Sequence, residues 1–243
     1  MRVNFAECEK RNLNVNAYEI VADENDSFEE LKNAIGELHE CEYLVVKTPV
    51  NHKDFLWGMS TLGCTFMENQ IILEVRKKGY RKNLFLERFR KDITLKKAES
   101  EREIQFVTDE IQKEIFDTDR IALDCLFTIK DSAKRYVNWT LDHLEKGSYI
   151  MQLVYRQEPI GFFIVAPSES ARGYAGLAGM YQKFKNKGMG ALVIQMMTEH
   201  IFEKGCTSVF TGVSSNNKSI LNIHLMLGYE VKNMYYVYVK HQK

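Results

Sequence analysis

A mixed α/β fold, with a mostly antiparallel sheet flanked by helices, is the class this sequence predicts, and three observations predict it. Apolar residues recur alternately at helical and at strand-like spacings along the chain. Three strand-like runs follow one another closely near the middle, joined by short turns. A strand, helix, strand unit near the start recurs near the end.

In order along the chain, Phe28 to His39 (FEELKNAIGELH) places Phe28, Leu31, Ile35 and Leu38 on one helical face, and Tyr43 to Val46 reads as a buried strand. A weaker helix around Asp54 to Leu62 and a strand at Ile71 to Val75 follow. The pattern restarts with a strand at Ile93, a helix over Ser100 to Phe116, and a second over Asp131 to Leu144 with Ala133, Tyr136, Val137, Leu141 and Leu144 on its apolar stripe. The three close strands are Tyr149 to Tyr155, Ile160 to Val165 and Arg172 to Met180, separated by Gln157-Glu158-Pro159 and by Pro167 to Ala171. A long helix from Gly190 to Glu203, a strand at Ser208 to Gly212, a helix at Lys218 to Leu227 and a strand at Val231 to Val239 complete the chain.

The composition narrows the function. Apolar residues make up 45% of 243, enough for an ordinary core without covalent staples. Five scattered cysteines with no CxxC pair argue against both a disulfide framework and a thiolate metal site, so no metal is expected and a reducing, cytoplasmic setting is. The opening residues lack the apolar core of a signal peptide, and no apolar run reaches the roughly 20 residues of a membrane span. Lys plus Arg equal Asp plus Glu at 33 each, so no global charge points to nucleic acid and any anion must be held locally.

Laying residues 43 to 75 over 208 to 240 matches Asn51 with Asn216, Lys53 with Lys218, Leu56 with Leu221, Leu62 with Leu227 and Gly63 with Gly228. The preceding helices superpose as well, but the turns before them differ: KNKGMG in the second copy, ADENDS (Ala22 to Ser27) in the first. A helix N-terminus offers unpaired amides and about half a positive charge. Gly188 and Gly190 leave the backbone bare there, and Lys185 and Lys187 add charge, whereas an acidic turn without glycine repels an anion. The strand ahead of KNKGMG, with Gly173, Ala175, Gly176, Ala178 and Gly179, also suits close approach by a ligand, although a flexible turn capping a helix reads the same way.

YQKFKNKGMGAL, Tyr181 to Leu192, resembles the acetyl-CoA loop of the GCN5-related N-acetyltransferases, with Lys185 where Arg or Gln is usual. Asn216 to Tyr229 resembles the family's second motif, an asparagine, a helix, then Leu-Gly-aromatic and a strand. The resemblance covers about residues 93 to 243 and implies a GNAT domain there, with residues 1–92 forming a degenerate half-GNAT α/β domain. Within the family the layout is similar to that of the dTDP-fucosamine acetyltransferases, which acylate an amino sugar on a nucleotide. It implies acetyl-CoA as cofactor, held by Leu177, Ala178, Gly179 and Met180 along the strand, by Lys185, Asn186, Lys187, Gly188, Met189, Gly190 and Ala191 at the turn, and by Asn217, with Asn216 as its alternate.

Direct transfer through a tetrahedral intermediate needs a donor for the oxyanion, expected from an amide near Met180, and a proton for the leaving thiolate. Where the family carries a tyrosine this chain has His224, which can serve as acid or as base, or can be a packed helix residue. Tyr229 is the other nearby hydroxyl, at a position that is usually core. For the acceptor, Asp119, Arg120 and Asp124 before the second helix, with Tyr136 and Trp139 on it, suit an amino sugar, and serve equally as core stripe and solvated flank. The expected partners are a small-molecule amine and a second copy of the chain in a homodimer, with neither nucleic acid nor membrane. Acetylation of another small amine or a peptide N-terminus, and a non-catalytic acyl-CoA sensor, stay open.

Overall fold

The computed structural model describes residues 1–167, 171–185 and 187–242. The first half supplies β1 (Arg2–Phe5), α1 (Glu7–Leu13), β2 (Ala17–Val21), α2 (Phe28–Gly36), β3 (Tyr43–Pro49), α3 (Lys53–Thr61), β4 (Thr65–Arg76) and α4 (Leu84–Arg90). The second supplies β5 (Ile93–Lys97), α5 (Glu101–Gln112), α6 (Ile129–Glu145), β6 (Tyr149–Tyr155), β7 (Glu158–Val165), β8 (Arg172–Met180), α7 (Gly190–Glu203), β9 (Ser208–Ser214), α8 (Lys218–Met226) and β10 (Glu230–His241). All ten strands join one sheet in the order β1-β2-β3-β10-β4-β9-β8-β7-β6-β5, antiparallel except for the pairs β2–β3 and β8–β9.

The helices begin where the sequence offers side-chain caps. Ser27 with Glu30, Ser100 with Glu103 and Thr128 with Asp131 form capping boxes that satisfy orphan amides at the heads of α2, α5 and α6. Alternate strand residues then sort the helices to two faces: Met151 and Leu153 pack with α7, while Ile150, Phe162 and Ile164 pack with Val107 and Ile111 of α5. α7 thus lies on one face of the β6–β8 region and the α5–α6 pair on the other.

The repeat holds at the level of elements. β9, α8 and β10 begin and end 165 residues beyond β3, α3 and β4, so that 43 answers 208, 53 answers 218 and 65 answers 230. Gly63 and Gly228 follow the two helices at φ +70° and +89°, the left-handed corner that lets the chain reverse into the next strand. Each unit's last strand crosses into the other. β10 sits between β3 and β4, and β4 between β10 and β9, with Gln70↔Ser214 in one ladder answering Tyr235↔Pro49 in the other. Residues on both sides of the expected 92/93 boundary therefore share one sheet.

β1, α1, β2 and α4 lie outside the elements expected from sequence. The helix expected to reach His39 stops at Gly36, the one expected to reach Phe116 stops at Gln112, and the strand expected over Ile71 to Val75 runs from Thr65 to Arg76. That last extension is tertiary: Thr65 to Gln70 carry few apolar residues, but β10 pairs with them along the whole length.

Candidate active site

The site begins where a ladder stops. β8 and β9 pair in parallel only through Arg172↔Ser208, Gly173↔Val209 and Tyr174↔Phe210, and the Thr211 hydroxyl then donates to the Ala175 carbonyl at 2.9 Å. Beyond that point β8 stays with β7 through Gly161↔Met180, Phe162↔Gly179 and Phe163↔Ala178, so it parts from β9. Strand groups without a ladder partner on one side must find another, since unpaired buried backbone is costly.

A cleft of about 150 Å³ opens in the wedge. Gly176, Leu177 and Ala178 line it from β8, and Thr211 to Ser214 from β9. Ile194 and Met197 of α7 and Ile220 and His224 of α8 enter from one face of the sheet; Phe116, Thr118, Asp119 and Tyr136 enter from the other. The cleft therefore passes through the sheet, and two reactants can meet in it from opposite faces.

The turn before α7 stands one helical turn, roughly 6 Å, from Ile194. Met189 caps α7 without any side-chain hydrogen bond, so the first amides of Gly190 and Ala191 receive no help from a cap. Gly188 has φ +77°, where a side chain is strained, and nothing lies within 4 Å of the place a Cβ would take at Gly188 or Gly190. Lys185 pairs with Asp117 at 2.8 Å, and Lys187 lies 5.2 Å over the Phe184 ring. Asn186 falls outside the described residues.

Asn217 is the N-cap of α8: the Ile220 amide donates to its Oδ1 at 3.2 Å, and its side chain also lines the cleft. Asn216 is turned away, donating to the Met67 carbonyl at 3.2 Å. His224 is 2% exposed. Its Nδ1 lies 2.8 Å from the Ile220 carbonyl, an acceptor only, so Nδ1 carries the hydrogen and Nε2 the lone pair. Nε2 is buried without a partner. Burial, opposed in part by the Ile220 contact, lowers the imidazole to about 4 from its ordinary value, so the ring is neutral at physiological pH.

Several expected site residues lie elsewhere. The Tyr229 hydroxyl is in the core, donating at 2.8 Å to Thr198, whose own hydrogen goes to the Ile194 carbonyl. Gly179 and Met180 lie past the cleft: Phe116 occupies the space in front of Gly179, and Met180 packs into the α7 core. Among the acceptor candidates, Asp124 is 5% exposed and bonded to His241 Nε2 at 3.0 Å, Trp139 packs at a tilt against His143 with ring centroids 4.0 Å apart, and Arg120 turns toward Glu9, so none of the three lines the cleft. Asp119 and Tyr136 do line it.

Asp119 is already occupied. Its Oδ1 accepts from the amides of Ile121 and Ala122 at 2.7 and 2.8 Å, and its Oδ2 from the Ser132 hydroxyl at 2.6 Å, which fixes the segment beside the cleft. Burial foremost, and the nearby Asp119 carboxylate next, push the Tyr136 phenol up, so it stays neutral. Phe116, Thr118, Thr211 and Ser214 were not singled out from sequence. Hydroxyls at Thr211 and Ser214 opposite a small-residue strand were the available signal, but only the end of the ladder gives it meaning.

Residues 113–229 match the model of the acetyltransferase (GNAT) family, and the domain they form belongs to that family. Solved structures of the same fold agree. A GCN5-related N-acetyltransferase from Sphaerobacter thermophilus has a TM-score of 0.58 at 13% identity, over 88% of this chain and 65% of its own, so this chain spans just under two thirds of that protein. A tandem GNAT protein from the clavulanic acid biosynthesis pathway gives 0.57 at 9% identity, over 93% and 75%. A GCN5-related glucosamine N-acetyltransferase region of a fungal multi-domain GH3 β-N-acetylglucosaminidase gives 0.63 at 11%, over 86% and 27%. At these identities the likeness is one of fold. No curated protein matches the chain in sequence. The chain therefore carries a GNAT-type acetyltransferase domain.

Proposed function

We propose that this protein transfers an acetyl group from acetyl-CoA to the primary amine of a small acceptor, with a nucleotide-linked amino sugar as first candidate. The observation that carries the proposal is the through-sheet cleft, opened where β8 leaves β9 and reached by an uncapped helix N-terminus on one face and by Asp119 and Tyr136 on the other.

The residues present fit a coenzyme A thioester. The free edge of Gly176 to Ala178 can take the amide-bearing arm as a further strand, and the Gly188 to Ala191 backbone can take a pyrophosphate with Lys185 and Lys187 beside it. Asn217 stands on the β9 side of the same gap. When bound, the thioester supplies an acyl carbon activated toward an amine.

Of the two roles open to His224, the geometry supports the base. A ring neutral at rest, with its Nε2 lone pair unpaired on a residue that lines the cleft, accepts the proton that the amine loses as its C–N bond forms. The imidazolium so made is acidic in this buried setting and can pass the same proton to the departing sulfur as the C–S bond breaks. Amides of Gly176 to Ala178 are positioned to donate to the oxyanion. The sugar reading gains support from the fungal neighbour, described as a glucosamine N-acetyltransferase region.

Thiol release from acetyl-CoA, measured over a panel of amines that includes dTDP-amino sugars, tests the proposal. Turnover of amino sugars is expected; turnover of polyamines or peptides alone would sink the sugar assignment.

A further inference from the structure

Charges balance over the whole chain but not along it. Residues 76–91 (RKKGYRKNLFLERFRK) hold eight of the 33 lysines and arginines and a single acid, Glu87. Packing accounts for part of this segment: Leu86 and Phe89 of α4 join the core beside α7, and Lys82 and Arg90 pair with Glu87 and Glu199. Arg81, Arg88 and Lys91 are exposed and make no ion pair among the described residues. A cationic excess is therefore left on the surface.

Large apolar side chains stand among these cations. Leu84 is 78% exposed and Phe85 60%, on a helix whose other face is in the core. Leu84, Arg88 and Lys91 follow at i, i+4 and i+7, so they share the outer face. The Arg88 guanidinium lies over the Phe85 ring, 3.4 Å from its centroid. Met226 of α8, 44% exposed, adjoins them: Asn83 Nδ2 donates to its Sδ at 3.3 Å, and the Arg81 amide donates to the neighbouring Leu227 carbonyl at 2.9 Å. None of these residues lines the cleft, which α8 meets through Ile220 and His224. Exposed apolar groups gathered in one place mark an interaction surface.

Charge decides the occupant. A second copy docked about a two-fold axis would set Arg88 and Lys91 against their own counterparts. A nucleic acid would meet the cations, but Leu84 and Met226 offer no ring to a base and Arg88 already covers one face of Phe85. An anionic bilayer satisfies both features, with its headgroups on the cations and its acyl boundary around the apolar groups. We infer that this face, with Leu84 and Phe85 at its centre, docks the protein on the surface of an anionic lipid bilayer. The neutral total charge conceals such a surface, because a count over the chain does not register a local excess.

The test sediments the full chain with vesicles of phosphatidylglycerol mixed with phosphatidylcholine, and with vesicles of phosphatidylcholine alone. Binding to the first and not to the second is expected. Each cation near such a surface is worth about fivefold in binding, so Arg88→Glu with Lys91→Glu should weaken it about twentyfold or more. Leu84→Ser with Phe85→Ser should weaken it about tenfold or more, because the apolar contact is lost while the cations stay. Both pairs change exposed side chains and should melt close to the wild type, which separates lost docking from lost fold. Binding to neither vesicle, equal binding to both, or binding that survives the serine pair would overturn the inference. So would a single-stranded oligonucleotide bound in place of the vesicles, or a dimer in solution that the serine pair dissociates, since a nucleic acid or a second copy would then be what covers this face.

Discussion

The two strand-helix-strand units share bounds and register, but only one is open. In the second, the parallel ladder breaks off after three pairs and a cleft follows. In the first, β2 and β3 stay paired over all five residues of β2, from Ala17↔Tyr43 to Val21↔Lys47. Where the second has Ile220 and His224, the first has Phe55 and Met59, both fully buried, and the Phe28 ring lies against Gly58 so closely that a Cβ there would sit 2.2 Å away. His52, in the place of Asn217, stacks on Phe55 at 4.0 Å.

The helix heads differ in the same sense. In the acidic turn, Asp26 accepts from the Asp23 amide at 2.8 Å, Asp23 from the Asn25 amide at 2.9 Å, and Ser27 with Glu30 closes a capping box. The helix that precedes the first unit, α2, is capped by side chains, and the one that precedes the second, α7, is not. A cleft is thus made here by withholding partners: pairing stops, fillers are removed, and the cap of α7 is absent. Such local departures from self-sufficiency are what a functional site looks like against a well-satisfied scaffold.

Transplanting features of the closed unit into the open one tests this. Gly190→Asp places an acid in the first turn of α7, as the first unit does with Glu29 and Glu30 of α2. Its effects should have opposite signs: acetyl-CoA affinity by calorimetry falls on the order of a hundredfold, whereas melting temperature holds or rises slightly, because the helix end favours the acid. His224→Met installs the residue found at Met59. It should lower kcat on the order of a hundredfold, the usual range for losing an acid-base group, with little change in acetyl-CoA affinity.

The same variant has a smaller signature in stability. Burial depresses the His224 imidazole to about 4, so the folded protein binds fewer protons than the unfolded chain between that value and the unperturbed one near 6.5. The wild type should therefore be most stable above about pH 6.5 and lose on the order of 3 kcal/mol as pH falls toward 4. Urea melts at pH 7 and pH 4.5 should show that acid loss reduced in His224→Met. Smallest of all, Tyr229→Phe should keep kcat within about twofold and cost about 1 kcal/mol of stability, since its hydroxyl serves only Thr198. A large loss of activity would return Tyr229 to the site.

Much of this contrast could be read from the chain alone. The KNKGMG and ADENDS turns separated the open unit from the closed one, and the matched Leu-Gly pairs located the repeat, because turn chemistry and helix stops are local. Asp124, Trp139 and Tyr229 could not be placed so. Whether a carboxylate meets an acceptor or His241, and whether a hydroxyl meets a substrate or Thr198, depends on contacts across more than thirty residues of sequence for two of the three.

The crossing of β4 and β10 also bears on how the chain folds. Neither unit can complete its part of the sheet until residues about 165 apart have met, so the pairing that closes one closes the other. Contacts of such long range carry a large loop-closure cost before they yield any stabilisation, which slows folding. Both halves should then appear in a single cooperative transition. Severing the chain near residue 92 would leave β9 and β10 with bare edges, where two separately made fragments would be expected to aggregate unless mixed and refolded together.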